Sequence, residues 1–130
     1  MMDTSALVAS LVRGHEHHAR ARAELPAVVS LPVIVVAETY SILRRAFGQP
    51  ARVATELLAP WSNPTALIPT STDVMSTALA RATELDLAGN IHDALIALAC
   101  VEHDVPIVTL DSRQHQVALA LGARSTYLLA

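Results

Sequence analysis

Apolar positions along this chain fall into short blocks separated by single polar residues, and their spacing changes from block to block. The block that organises the rest covers residues 91–111, IHDALIALACVEHDVPIVTLD. Residues 94–101 carry no charge and no strongly polar group, the pattern of a helix buried all round. Glu102, His103 and Asp104 interrupt the run. Pro106 then opens a short apolar stretch over 107–110 that reads as a strand buried on both faces, as in a parallel sheet. Asp93 stands in the first turn of this helix and Asp111 where the strand stops. An acid at that end of a strand faces the crevice at the carboxyl edge, where open α/β folds bind ligands.

The remaining blocks alternate in the same way. A helix is expected over 6–12 with Thr4 or Ser5 as its cap, broken by Gly14, and a polar-faced helix over 15–24. Residues 27–29 read as a short strand. Ser30 reads as the cap of a helix over 32–47, with Pro32 just inside it, burying Val33, Ile34, Val36, Ala37 and Leu43. Gly48 and Pro50 end that helix. A helix over 51–61, a strand over 66–68, a helix from the Ser71-Thr72-Asp73 cap to Asp86, and a Gly89-Asn90 turn lead into the central block. A helix over 114–121 ending at Gly122 and a strand over 125–129 follow. This alternation predicts one three-layer α/β/α domain over 1–130 with a mostly parallel sheet.

Composition narrows the function. The chain has 130 residues, enough to bury a core without staples. Its hydrophobic share of 52% includes 23 Ala, which favours helix rather than membrane. The longest uncharged apolar-rich run, 25–37, carries Pro26 and Pro32 and falls short of the roughly 20 residues a bilayer span needs. No basic-then-apolar leader opens the chain, so a cytoplasmic protein is expected. The lone Cys100 excludes an internal disulfide and, inside the apolar run, reads as an inert core thiol. Net charge is −3, with nine Arg and no Lys. That excludes a basic nucleic-acid coat, a P-loop, and the phosphoryl-transfer folds that need a Lys beside an Asp-tipped sheet.

Four acids stand out by position: Asp3, Glu38, Asp93 and Asp111. Strand ends and helix starts meet at one rim of a parallel sheet, so at least three of them can converge. Carboxylates held together raise one another's pKa. A hard cation such as Mg²⁺ or Mn²⁺, which prefers oxygen ligands, relieves this. Such an ion generates hydroxide from water and neutralises a phosphate under attack. Each acid also has a plain alternative: Asp3 as N-cap, Asp93 as a first-turn residue favoured by the helix dipole, Asp111 as a turn residue, and Glu38 as partner of Arg44 or Arg45.

Four segments in order carry a resemblance. Met2-Asp3-Thr4-Ser5-Ala6-Leu7, Val36-Ala37-Glu38, Ile91-His92-Asp93-Ala94-Leu95-Ile96-Ala97 and Val108-Thr109-Leu110-Asp111 resemble the motifs of PIN-domain ribonucleases, in particular VapC-type toxins of bacterial toxin–antitoxin pairs. The resemblance implies a five-stranded parallel sheet flanked by helices and Mg²⁺- or Mn²⁺-dependent RNA cleavage. It implies that Asp3, Glu38, Asp93 and Asp111 are the catalytic metal ligands, with Thr4, Ser5 and Thr109 as polar neighbours that orient them. It also implies an RNA substrate, a cognate antitoxin and toxin dimerisation. Two departures stand beside it. Almost nothing precedes Asp3, which leaves either a loosened Asp3 or a start further upstream. Ser112, Arg113, Gln114 and His115 follow Asp111 where the family often has another Asp and a Phe.

Other polar groups read more plainly. His15, His17 and His18 form an exposed polar face, with a metal shared by His15 and His18 as the rival reading. His92 is expected to point away from Asp93. Arg44, Arg45 and Arg113 read as solvated helix-end charges, with RNA phosphates as a rival for each and an acidic antitoxin segment as a further one for Arg44 and Arg45. Phe47 and Trp61 read as packing residues at helix ends. The functional expectation is a metal-dependent endoribonuclease acting as the toxin of a type II toxin–antitoxin system. The rivals are a catalytically inactive RNA- or protein-binding module and a metal-dependent nuclease acting on DNA.

Overall fold

The apolar run at 94–101 forms the spine of the computed structural model, which describes residues 1–85 and 91–130. The expected Gly89-Asn90 turn lies outside the described residues, and the helix expected to run to Asp86 ends at Arg81, with residues 82–85 in turns. The order of elements is α1 (Thr4–Leu11), α2 (His18–Glu24), β1 (Leu31–Pro32), α3 (Val33–Arg45), α4 (Ala51–Leu58), β2 (Leu67–Ile68), α5 (Thr72–Arg81), α6 (His92–Glu102), β3 (Ile107–Thr109), α7 (Ser112–Ala120) and β4 (Ser125–Tyr127). Ala94, Leu95, Ile96, Ala97, Ala99 and Cys100 of α6 are all buried. The helix packs against α3, α5 and α7, and its exposed residues are confined to its two ends, His92 at one and Val101 and Glu102 at the other, so Val101 departs from the expected all-round burial.

Every strand pairing among the described residues is parallel. β3 pairs with β4, and on its other side Val108 bridges to Met2. β1 pairs with β2, with Leu31 opposite Leu67 and Pro32 opposite Ile68. The expected five-stranded sheet is therefore seen as five extended segments, four of them strands, hydrogen-bonded in two separate groups. The segments are two or three residues long or a single bridge, and Pro32 has no N–H to extend its ladder. Helices α1 and α7 both pack on β3, which stands at the centre of the arrangement.

Four local expectations in the first half of the chain are corrected. Residues 27–29 are not a strand: Pro26 opens a 3₁₀ turn at Leu25–Ala27, Val29 is exposed, and the strand forms at Leu31–Pro32. Ser30 does not cap α3, because pairing with β2 keeps Leu31 and Pro32 extended until Val33. The buried face of α3 is Val35, Thr39 and Leu43, one turn apart each, while Val33 and Ala37 are exposed. Phe47 is also 40% exposed, whereas Trp61 is buried and its Nε1 donates to the Val28 carbonyl at 3.1 Å.

The chain start is tied down rather than loose. Met2 is fully buried; the Val108 N–H donates to the Met1 carbonyl at 2.8 Å, and the Asp3 N–H donates to the Val108 carbonyl at 3.1 Å. The Met1 amine donates to the Pro106 carbonyl at 2.6 Å. Among the described residues no helix is long and apolar enough to cross a membrane.

Candidate active site at the carboxyl edge of the central strand

Asp3 follows the Met2 bridge and Asp111 follows β3, so two adjacent extended segments deliver both acids to one edge. Asp3, not Thr4 or Ser5, caps α1: its Oδ1 accepts from the Ala6 N–H at 2.9 Å. The Ser5 hydroxyl donates to the same carboxylate, 2.8 Å from Oδ1 and 2.9 Å from Oδ2. Thr109 Oγ1 donates to Oδ2 at 2.6 Å and accepts from the Asp111 N–H at 2.9 Å. One hydroxyl thus ties the two acids together. Asp111 also caps α7, its Oδ1 accepting from the Arg113 N–H at 2.8 Å. The plain alternatives for these two acids are therefore true of the structure, and they do not compete with a role at the edge.

Glu38 reaches the same region from α3. Its Oε1 accepts from the Thr4 hydroxyl at 2.8 Å, and its Oε2 lies 3.1 Å from Nδ1 of His92. The alternative partnership with Arg44 or Arg45 is not how Glu38 is held, and Arg44 donates to the Tyr40 hydroxyl at 3.2 Å. His92, expected to point away from Asp93, brings Nδ1 to Glu38 on α3. Asp93 is half-buried at the start of α6, and its backbone carbonyl accepts from Nε2 of the buried Gln114 at 2.9 Å.

The electrostatics link the four. Burial pushes Asp3 up to about 6, against the hydrogen bonds from Thr109, Ala6 and Ser5, and the charge of Asp111 adds to the rise. Asp93 is raised by burial first and then by Asp111, with Glu38 adding to it, while Arg113 and His92 pull it down. Asp93 therefore feels both of the other flanking acids. Among the described residues, however, no three His, Cys, Asp or Glu side chains stand close enough together to hold a metal ion. Both Asp3 oxygens accept two hydrogen bonds each, and both Glu38 oxygens are engaged. The donor chemistry fits a hard divalent cation all the same: the set is all carboxylate, and its members repel one another.

A family model described as PIN domain matches residues 1–120. This chain belongs to the PIN domain family. Its fold is similar to that of Mycobacterium tuberculosis VapC20, a sarcin-ricin loop cleaving toxin, with TM-score 0.72, 19% identity and 94% of each chain covered. It is also similar to FitAB bound to an IR36 DNA fragment, with TM-score 0.72, 17% identity, and 99% of this chain and 94% of that one covered. Among curated proteins no match was found.

Sequence reasoning missed two residues of this PIN domain's site. His92 was set aside because its neighbour is the acid, yet the first turn of α6 lets it reach α3. Gln114 looked like an ordinary polar residue at a helix start, and nothing local marks it as buried. The histidines at 15 and 18 both turn Nδ1 to the backbone: His15 Nδ1 accepts from the His17 N–H at 3.1 Å, and His18 Nδ1 lies 2.8 Å from the Ala9 carbonyl. Cys100 is buried and its thiol is pushed up to about 11, chiefly by burial, which fits an inert core group.

Proposed function

We propose that this PIN domain is a metal-dependent endoribonuclease and the toxin of a type II toxin–antitoxin pair. The observation that carries the reading is the joining of Asp3 and Asp111 through the Thr109 hydroxyl, with Asp93 close enough to Asp111 and Glu38 to be raised by both. Asp3, Asp93, Asp111 and Glu38 are the proposed ligands of Mg²⁺ or Mn²⁺. A cation bound there would supply activated water and neutralise the charge of a phosphodiester under attack. Thr109 and Ser5 hold the Asp3 carboxylate in one orientation, and the buried Gln114 fixes the backbone at Asp93. Arg113 lowers the Asp93 carboxyl and stands at the exposed end of the edge, where a guanidinium suits an RNA phosphate.

The toxin reading draws on the likeness to VapC20, and with it come a cognate antitoxin and assembly as a homodimer or a toxin–antitoxin complex. The deciding experiment is cleavage of total RNA with Mg²⁺, with EDTA as control and a DNA panel beside it. RNA fragments that disappear with EDTA support the reading. Cutting of DNA alone would move the substrate, and no cutting of either would overturn it. A second reading is favoured by the engaged oxygens of Asp3 and Glu38: an inactive module that binds RNA or protein. Calorimetry with Mn²⁺ separates the two, since that module takes up no metal at millimolar concentration.

A further inference from the structure

The contact between His92 and Glu38 joins α6 to α3 directly beside the acids. Glu38 projects from α3, and His92 opens α6 one residue before Asp93. The other Glu38 oxygen accepts from Thr4, one residue after Asp3. The carboxylate is therefore gripped from two helix starts, each beside a different acid. We infer that His92 is a positioning residue, whose ring, with Nδ1 3.1 Å from Oε2, holds the Glu38 carboxylate facing Asp93; the inference rests on the metal-dependent reading above.

A Glu side chain held at one oxygen only swings about that bond. Glu38 sits beside Ile34 and Ile42 on a half-buried part of α3, where a carboxylate needs donors to stay. Among the described residues Thr4 is the donor to Oε1, so losing His92 leaves Oε2 without its contact from α6. Outer contacts of this kind orient ligating carboxylates, and losing one typically weakens metal binding by about 10- to 100-fold.

The test is Mn²⁺ calorimetry without RNA on the wild type, H92A, H92N, H92Q, E38Q and the double variant E38Q/H92A. H92A is expected to weaken binding about 10-fold. H92N, whose amide donor stands where Nδ1 does, is expected to restore most of it, while H92Q, which places the amide further out, is not. In the E38Q background H92A is expected to change nothing, because His92 acts through Glu38. Binding by H92A as tight as the wild type, or tighter, overturns the inference and leaves the metal reading standing; so does an equal loss in the E38Q background. If H92A does not fold by circular dichroism, H92N against H92Q decides, and equal affinities overturn it. A wild type that binds no Mn²⁺ overturns the metal reading itself and the inference with it.

Discussion

Thr109 Oγ1 donates to Asp3 Oδ2 at 2.6 Å, linking a strand end to the start of the chain. Both residues are buried, and the same hydroxyl accepts from the Asp111 N–H. Thr109→Val removes the donor while keeping the shape. A hydrogen bond to a charged group is worth about 1.5–3 kcal/mol, so the variant should lose that much stability in urea unfolding at pH 7.5, and Thr109→Ser should lose far less. The Asp3 carboxyl should also titrate higher in the variant, because the Thr109 bond is the largest of the hydrogen bonds that hold it down. Carbon-13 NMR of that carboxyl reads the change directly.

Asp3 also gives the metal-free protein a pH dependence of defined sign. Burial raises it to about 6 in the folded state, so the folded chain takes up a proton more readily than the unfolded one. Its contribution to stability is fully present below about pH 4 and is lost as pH rises through about 6, a change of roughly 3 kcal/mol. Asp93, also raised, works in the same direction. In EDTA, the urea midpoint of the wild type should fall between pH 4 and 7, and Asp3→Asn should flatten that slope. An Asp3→Asn variant with the wild-type slope would assign the titration elsewhere.

Asp93 should separate activity from stability. Its charge is disfavoured by burial and by Asp111 and Glu38. Replacing it with Asn removes the repelled charge and keeps the shape. Asp93→Asn is expected to abolish Mg²⁺-dependent RNA cleavage while raising the urea midpoint at pH 7.5 in EDTA. A variant that cuts RNA at the wild-type rate removes Asp93 from the proposed ligand set.

How far these features could be read from the chain depends on the range of the interactions behind them. The helix at 92–102 and the strand after Pro106 were legible because an uninterrupted apolar run leaves few alternatives. Family membership was legible from four spaced segments, and the PIN domain model covers 1–120. The strand expected at 27–29 failed because Val28-Val29 has strand chemistry but Pro26 sets a turn just before it. The phase of α3 was misread because β-branched residues crowd its first two turns, and packing alone selects Val35, Thr39 and Leu43 as the buried stripe. The partner of Glu38 was out of reach altogether: local spacing favoured Arg44 and Arg45, but Thr4 and His92 arrive from distant segments.

The last prediction concerns two helix ends that share one design. After α6, the Asp104 N–H donates to Val101 and the Val105 N–H to Cys100; after α7, the Gly122 N–H donates to Leu119 and the Ala123 N–H to Ala118. Each is a helix stop that needs a left-handed residue in the middle. Gly122 takes φ of 87° without a side chain to object, whereas Asp104 takes φ of 50° with one. Asp104→Gly should therefore stabilise the protein by about 0.5–1 kcal/mol. The bond it forfeits, Arg124 Nη2 to Asp104 Oδ1 at 3.2 Å, joins two exposed side chains, and an exposed pair of this kind contributes little. The Arg124 bond to the Asp104 carbonyl at 2.9 Å does not involve the side chain and stays. Gly122→Ala should do the opposite, costing about 1 kcal/mol; no heavy atom lies within 4 Å of the added methyl, so the cost is in the backbone alone. Urea unfolding of both variants with unchanged m-values would carry the point, and a destabilised Asp104→Gly would show that the aspartate, rather than the turn, holds this end of α6.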